Sequence, residues 1–93
     1  MRNCDIIRNN ESRIVNYINE EIRQYRLRLV SIEIYNCLGP TYDVMFMFSG
    51  RTCVDYNDKV SIERICRDTL NEFVRANIYE SYTMDRVSLI FND

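Results

Sequence analysis

Histidine is absent from the chain, and glycine and proline are scarce, with two glycines and one proline among 93 residues. Histidine is the side chain that most often transfers protons near neutral pH, and it is the usual activator of a nucleophilic cysteine. Gly39 and Gly50 are too few to build a glycine-rich phosphate-binding loop. We therefore predict a protein that is not an enzyme, with no catalytic residue and no cofactor.

The cysteines lack the spacing of a metal site. Cys4, Cys37, Cys53 and Cys66 contain no C-x-x-C pair, and there is no histidine to complete a set of zinc ligands. Widely spaced cysteines without such partners are typical of buried or half-buried thiols in a reducing compartment. We expect free thiols, no metal ligand and an intracellular, cytoplasmic location.

Long apolar runs are absent as well. Residues 1–8 lack the apolar stretch of a secretory signal, and the chain nowhere has the roughly 20 apolar residues that a membrane-spanning helix needs. We expect no membrane partner. The composition, 46% hydrophobic and 12% aromatic, is that of a folded protein, and the length predicts a single domain over residues 1–93.

The chain also lacks an excess of basic over acidic residues. Nucleic-acid-binding domains usually carry a net positive charge, whereas this chain has a formal net charge of −2. The charge balance therefore weighs against nucleic acid as the partner.

Two stretches have the periodicity of amphipathic helices. In the first, Asn9 or Asn10 can cap the helix, and Asp5 is the alternative start. Its apolar stripe consists of Ile7, Ile14, Ile18, Ile22 and Tyr25. The second helix is predicted over Val60–Asn77. Its apolar stripe consists of Ile62, Ile65, Cys66, Leu70, Phe73 and Val74.

Other segments have the pattern of strands. Residues 28–50 predict a β-hairpin that turns at Gly39 and Pro40, two residues that favour turns. Residues 51–56 are predicted as an optional third strand, and residues 86–91 as the last strand. Residues 78–84 are ambiguous between strand and loop.

The order helix, strand, strand, optional strand, helix, strand predicts an α+β fold. We expect a two-layer sandwich in which two helices cover one face of an antiparallel sheet of three or four strands. The covered face would carry Val30, Ile32, Ile34, Val44, Phe46, Phe48, Val87, Leu89 and Phe91. The other face would carry Leu29, Tyr35, Cys37, Met45, Met47 and Ile90, mixed with Ser31, Glu33, Asp43 and Ser88.

Met45 and Met47 carry the functional hypothesis. Side chains alternate across a strand, so these two residues make the second strand apolar on the face that the helices do not cover. Exposed apolar patches often mark interaction sites, and methionine and tyrosine suit interfaces. We predict a homodimer interface formed by Leu29, Tyr35, Met45, Met47 and Ile90. In the alternative, residues 78–84 or residues 4–7 fold over this face and make it core.

These features predict a small non-enzymatic protein–protein interaction module. Viruses and mobile elements encode compact acidic domains that bind and block a host macromolecular complex, and we expect an inhibitor of this kind. A structural subunit or adaptor of a host complex is the alternative. A candidate negative surface for the partner consists of Asp55, Asp58, Glu63, Asp68 and Glu72.

Nucleic-acid binding is a further alternative. The order helix, three strands, helix over residues 10–77 resembles that of the double-stranded-RNA-binding domain. That family opens its second helix with a lysine-rich cluster, whereas residues 58–64 contain one lysine, Lys59, among acidic residues. Phosphate contacts dominate the affinity of such domains, so the resemblance is weakest where binding depends on it. The remaining candidate contacts are Arg23, Arg26, Arg28 and Arg51 beside Tyr25 and Tyr35.

Overall fold

The computed structural model describes residues 3–37, 41–51, 53–75 and 83–92. Within these ranges the chain forms three α-helices, α1 (Asn3–Asn9), α2 (Glu11–Glu21) and α3 (Tyr56–Arg75), and one 3-10 turn, Arg23–Tyr25. The strands are β1 (Arg28–Tyr35), β2 (Thr41–Ser49) and β3 (Thr83–Asn92). The fold is α+β with a mixed sheet in the order β1-β2-β3.

The sheet combines one antiparallel pair with one parallel pair. β1 and β2 are antiparallel, as the predicted hairpin requires, although its turn residues Gly39 and Pro40 lie outside the described residues. β2 and β3 are parallel, so the prediction of an antiparallel sheet is wrong for this pair. The reason is the length of α3. A 20-residue helix spans about 30 Å, roughly the length of nine-residue β2, so it returns the chain to the end where β2 began.

The optional third strand is not formed in the described part of residues 51–56. Gly50 has φ = 122° and turns the chain sharply after β2, Val54 is buried, and Tyr56 already belongs to α3. The Asp55 carboxylate accepts a hydrogen bond from the backbone N–H of Asp58 at 2.8 Å, which satisfies one of the free amides at the helix start. Helix α3 therefore begins at Tyr56, four residues before the predicted start at Val60. Since only two strands are described between the helices, the order of elements departs from that of the double-stranded-RNA-binding domain.

The first predicted helix is divided at Asn10. The helical segment begins at Asn3, earlier than Asp5, because Cys4, Ile6 and Ile7 are buried. The side chain of Asn10 does not cap α2. Instead its amide nitrogen donates to the carbonyl of Ile6 at 2.7 Å, and α2 begins at the next residue.

Helix α2 ends at Glu21, before the arginines that follow it. Arg26 adopts a left-handed conformation with φ = 60°, and Arg28 is the first residue of β1. The carbonyl of Tyr25 at this turn accepts a hydrogen bond from Nη1 of Arg51 at 3.0 Å. This contact joins the turn before β1 to the turn after β2.

One hydrophobic core joins the three helices to one side of the sheet. Among the described residues, its buried members are Cys4, Ile7, Ile14, Ile18, Ile22, Leu27, Leu29, Ile32, Tyr42, Val44, Phe46, Phe48, Val54, Ile62, Cys66, Leu70 and Val87. Phe91 of β3 stacks on Phe48 of β2 with ring centroids 5.2 Å apart, so the parallel pair is packed as well as hydrogen-bonded. In the described part of the chain, no helix is both long and apolar enough to cross a membrane.

Candidate functional site

Strand β2 lies in the centre of the sheet and separates two kinds of side chain. Tyr42, Val44, Phe46 and Phe48 are buried, whereas the alternating residues between them are partly exposed. The face that carries these partly exposed residues is called the open face. It consists of Ser31, Glu33, Tyr35, Asp43, Met45, Met47, Ser88 and Ile90. No helix of the described residues contributes to it, since their buried side chains belong to the core on the opposite side.

The register places apolar residues at the middle of the open face. Met47 is paired with Ser31 of β1 and with Ile90 of β3, and Met45 is paired with Glu33 and Ser88. The two methionines and Ile90 therefore form an apolar centre, with polar residues beside both methionines on β1 and beside Met45 on β3. The register agrees with the expectation that Met45, Met47 and Ile90 share one face of the sheet, and their role in a dimer interface stays a prediction.

Leu29 does not belong to the open face, and its prediction as an interface residue is wrong. A β-bulge between Leu29 and Ser31 shifts the register of β1 against β2. A bulge inserts one extra residue, so the side chains before it change faces. Leu29 is 1% exposed and lies in the core, whereas Val30, expected in the core, is 50% exposed.

Polar contacts occupy one end of the open face. The hydroxyl of Tyr35 donates a hydrogen bond to Oε2 of Glu33 at 2.6 Å, and this bond raises the pKa of Tyr35 above its usual value. Nδ2 of Asn36 donates to Oδ2 of Asp43 at 2.8 Å. Tyr35 is 48% exposed, so it lies on the predicted surface, but its hydroxyl already has a partner.

Cys37 lies on the core side rather than on the open face. Its side chain packs against the core and forms a hydrogen bond with the thiol of Cys4. Burial, followed by the contact with Cys37, raises the pKa of Cys4 from 9.0 to about 12. The four cysteines are free thiols.

The predicted acidic surface is divided by local contacts. Asp55 is hydrogen-bonded at the start of α3, Asp58 forms an ion pair with Arg51 at 3.5 Å, and Glu63 pairs with Arg67 at 3.9 Å. Asp68 and Glu72 lie farther along α3 and face α2. Three of the five residues therefore have partners within the chain, and the other two line a groove between α2 and α3.

A groove between α2 and α3 brings Asp68 and Glu72 together with Glu21 of α2. Its volume is about 420 Å³, and Tyr17, Ile65 and Phe73 supply its apolar lining. Glu21 and Tyr17 were not predicted as site residues. Both lie on the exposed side of α2, and the local pattern contains no signal that α2 and α3 are neighbours. We call this cavity the helical groove.

Two of the four arginines considered as phosphate ligands form contacts within the chain. Arg23 forms an ion pair with Glu20 at 3.0 Å, and Arg51 contacts both the carbonyl of Tyr25 and the carboxylate of Asp58. Arg26 and Arg28 are exposed. No specific feature of the described arginines favours a nucleic-acid interface.

Comparison of the chain with protein-family models, with curated proteins and with solved structures finds no match. Within the described ranges, no group of three or more cysteine, aspartate or glutamate side chains is arranged to hold a metal ion. The open face and the helical groove are the two candidate binding surfaces of the described residues.

Proposed function

We propose that the protein is a small non-enzymatic protein–protein interaction module that self-associates through the open face. The observation that supports this proposal is the position of Met45 and Met47 on the central strand, only partly buried and on the side away from the core. A protein of this kind acts by occupying a partner's surface, as an inhibitor of a macromolecular complex does.

In the proposed dimer, two copies pack sheet against sheet. Each copy has two layers, helices and sheet, and the dimer places the two open faces about 10 Å apart, the normal spacing of packed sheets. Met45 and Met47 of one copy would then pack against the same residues of the other around a two-fold axis, because a symmetric dimer uses one patch twice. Glu33 lies on edge strand β1, so its carboxylate stays at the rim.

The alternative cover for the open face consists of two segments of the same chain. Residues 4–7 are not such a cover, because Cys4 and Ile7 belong to the core on the other side of the sheet. The other candidate, residues 78–84, lies largely outside the described residues, and its last two members belong to β3.

The size of the open face sets the expected affinity. Three strands about 4.8 Å apart and about eight residues long cover a rectangle of roughly 14 Å by 26 Å. This area is below the roughly 800 Å² that each partner contributes to a standard interface. We therefore expect a weak dimer, with a dissociation constant in the micromolar range, rather than an obligate one.

Sedimentation velocity between about 5 and 300 μM tests the proposal. The wild-type protein should shift from monomer to dimer over this range, and the Met45→Glu/Met47→Glu variant should remain a folded monomer by circular dichroism. A matched control, Tyr56→Glu/Val60→Glu, adds the same two charges on exposed positions of α3 and should dimerise like the wild type.

Two outcomes would overturn the proposal. One is a wild-type protein that remains a monomer of about 11.2 kDa at the highest concentration. The other is an unfolded Met45→Glu/Met47→Glu variant, because unfolding would identify the two methionines as core of the monomer.

A further inference from the structure

The helical groove has an apolar lining and a negatively charged rim. Ile65 and Phe73 are half-buried and contact the core, whereas Tyr17 is 55% exposed at the edge of the groove. Thr69 also lines the groove and is buried. Its hydroxyl donates to the carbonyl of Ile65 at 2.8 Å, so the hydroxyl proton is used within α3. The lining therefore offers hydrophobic contact rather than a polar binding group.

The rim carries carboxylates from two different helices. Glu21 comes from α2, and Asp68 and Glu72 come from α3. The described ion pairs join Glu20 to Arg23, Glu63 to Arg67 and Asp58 to Arg51, so none of them neutralises Glu21 or Asp68. The i,i+4 spacing of Arg64 and Asp68 permits an ion pair, but these two residues do not form one in the described structure.

A guanidinium group of the chain itself already lies against one wall of the groove. The Cζ atom of Arg13 is 5.5 Å from the centroid of the Phe73 ring, a cation–π distance. Its Nη1 also donates to Oδ1 of Asn10 at 3.4 Å, so Arg13 is held at the α1 end of the groove. The Phe73 ring therefore already contacts a cation from within the chain.

We infer that the helical groove binds an arginine-bearing basic segment of a partner protein. The aliphatic part of an arginine side chain would pack against Ile65 and Tyr17, while its charged end reaches the carboxylates of Glu21 and Asp68. Arginine fits better than lysine, because its planar guanidinium stacks on aromatic rings and makes two parallel hydrogen bonds to a carboxylate.

The chemistry favours a side chain delivered by a macromolecule over a free small cation. The groove is open at the surface, and its rim residues Glu21, Asp68 and Glu72 are exposed, so a small ligand would bury little of its area there. A peptide segment adds contacts outside the groove and brings several cations to the negative rim. This surface is made by the helices and is separate from the open face, so binding here does not depend on dimerisation.

Titration with acetyl-hexaarginine amide, followed by ¹H–¹⁵N correlation spectra at about 50 and 200 mM salt, tests the inference. We expect the largest shifts at Tyr17, Glu21, Asp68 and Phe73, and weaker binding at the higher salt concentration. Acetyl-hexalysine amide should bind more weakly, and acetyl-hexaglutamate amide should cause no shifts.

A pair of charge-matched variants separates the groove from the overall charge. Glu21→Gln/Asp68→Asn should weaken hexaarginine binding at least tenfold. Glu11→Gln/Glu63→Gln removes two carboxylates elsewhere and should change it less than twofold. Tyr17→Ala, which alters no charge, should also weaken binding.

Three results would overturn the inference. They are an equal loss of affinity in the two double variants, shifts that map to the open face or to another surface, and no binding at low salt up to millimolar peptide. Circular dichroism of each variant establishes that it is folded, so that a loss of binding reports on the groove.

Discussion

The side-chain amide of Asn19 forms two hydrogen bonds with the backbone of Leu29. Oδ1 of Asn19 accepts from the Leu29 N–H at 2.6 Å, and Nδ2 donates to the Leu29 carbonyl at 3.1 Å. The amide therefore pairs with Leu29 in the way that a neighbouring strand would. Leu29 lies directly before the β-bulge of β1, so helix α2 holds the strand at the point where its register changes.

Replacement of Asn19 by alanine should destabilise the fold by about 1–3 kcal/mol, because it leaves both Leu29 backbone groups without these partners. Urea unfolding measures the change. Asn16→Ala is the matched control, since Asn16 is an exposed asparagine of the same helix, and it should change the free energy of unfolding by less than about 0.5 kcal/mol. Equal effects of the two substitutions would contradict the structural role of Asn19.

The bulge itself predicts a large effect for one of two adjacent residues and a small effect for the other. Leu29→Ala should lower the free energy of unfolding by about 2–5 kcal/mol, because Leu29 is fully buried. Val30→Ala should change it by less than about 1 kcal/mol, because Val30 is half exposed. A larger loss for Val30 than for Leu29 in the same unfolding assay would show that β1 has the regular alternation instead.

Gly50 should not tolerate a side chain. Its φ of 122° is rare for other residues, and a Cβ atom there would lie 2.7 Å from the carbonyl oxygen of Arg26. We expect Gly50→Ala to cost roughly 1–3 kcal/mol in the free energy of unfolding. Ser49→Ala, at the neighbouring residue, is the control and should have a small effect. If Gly50→Ala is as stable as the wild type, the backbone of Gly50 does not lie against the Arg26 carbonyl in the folded protein.

Alkaline pH should destabilise the protein through Cys66. Burial, followed by the nearby charge of Glu63, raises the pKa of Cys66 from 9.0 to about 12. Above pH 9 the unfolded chain loses the thiol proton while the folded chain keeps it, so the contribution of this thiol to stability is complete below pH 9 and falls as the pH rises towards 12.

Between pH 8 and pH 10.5, the loss of stability of the wild type should exceed that of Cys66→Ala by about 2 kcal/mol. Urea unfolding at the two pH values gives this difference, and the contribution of Cys4 is present in both proteins. Cys53→Ala, at an exposed thiol, should behave like the wild type. If Cys66→Ala loses as much stability as the wild type, the buried thiol is not the group that titrates.

Much of this fold could be predicted from local sequence patterns. The apolar stripe of α3, from Ile62 to Val74, is regular enough to identify a helix, and the alternation in β2 correctly separated Val44, Phe46 and Phe48 from Met45 and Met47. Periodicity reports which side of an element is buried, so it succeeds where an element is regular.

The predictions failed where the structure depends on contacts between elements that are distant in the sequence. Val87, Leu89 and Phe91 alternate identically whether β3 runs parallel or antiparallel to β2, so the pattern contained no information about direction. The bulge at Val30 has no local signature, and the strand is held next to it by hydrogen bonds between Leu29 and Asn19, ten residues apart. The helical groove likewise requires that α2 and α3 be adjacent, which the sequence of neither helix reveals.

The parallel pairing of β3 with β2 also has a consequence for biosynthesis. Until β3 is available, the hairpin of β1 and β2 has one long border of β2 unpaired, and Phe48 has no Phe91 to stack on. An apolar strand with an unpaired border is a template for incorrect pairing with other nascent chains. The delay between the emergence of β2 and that of β3 therefore sets how long each newly made molecule is vulnerable to aggregation.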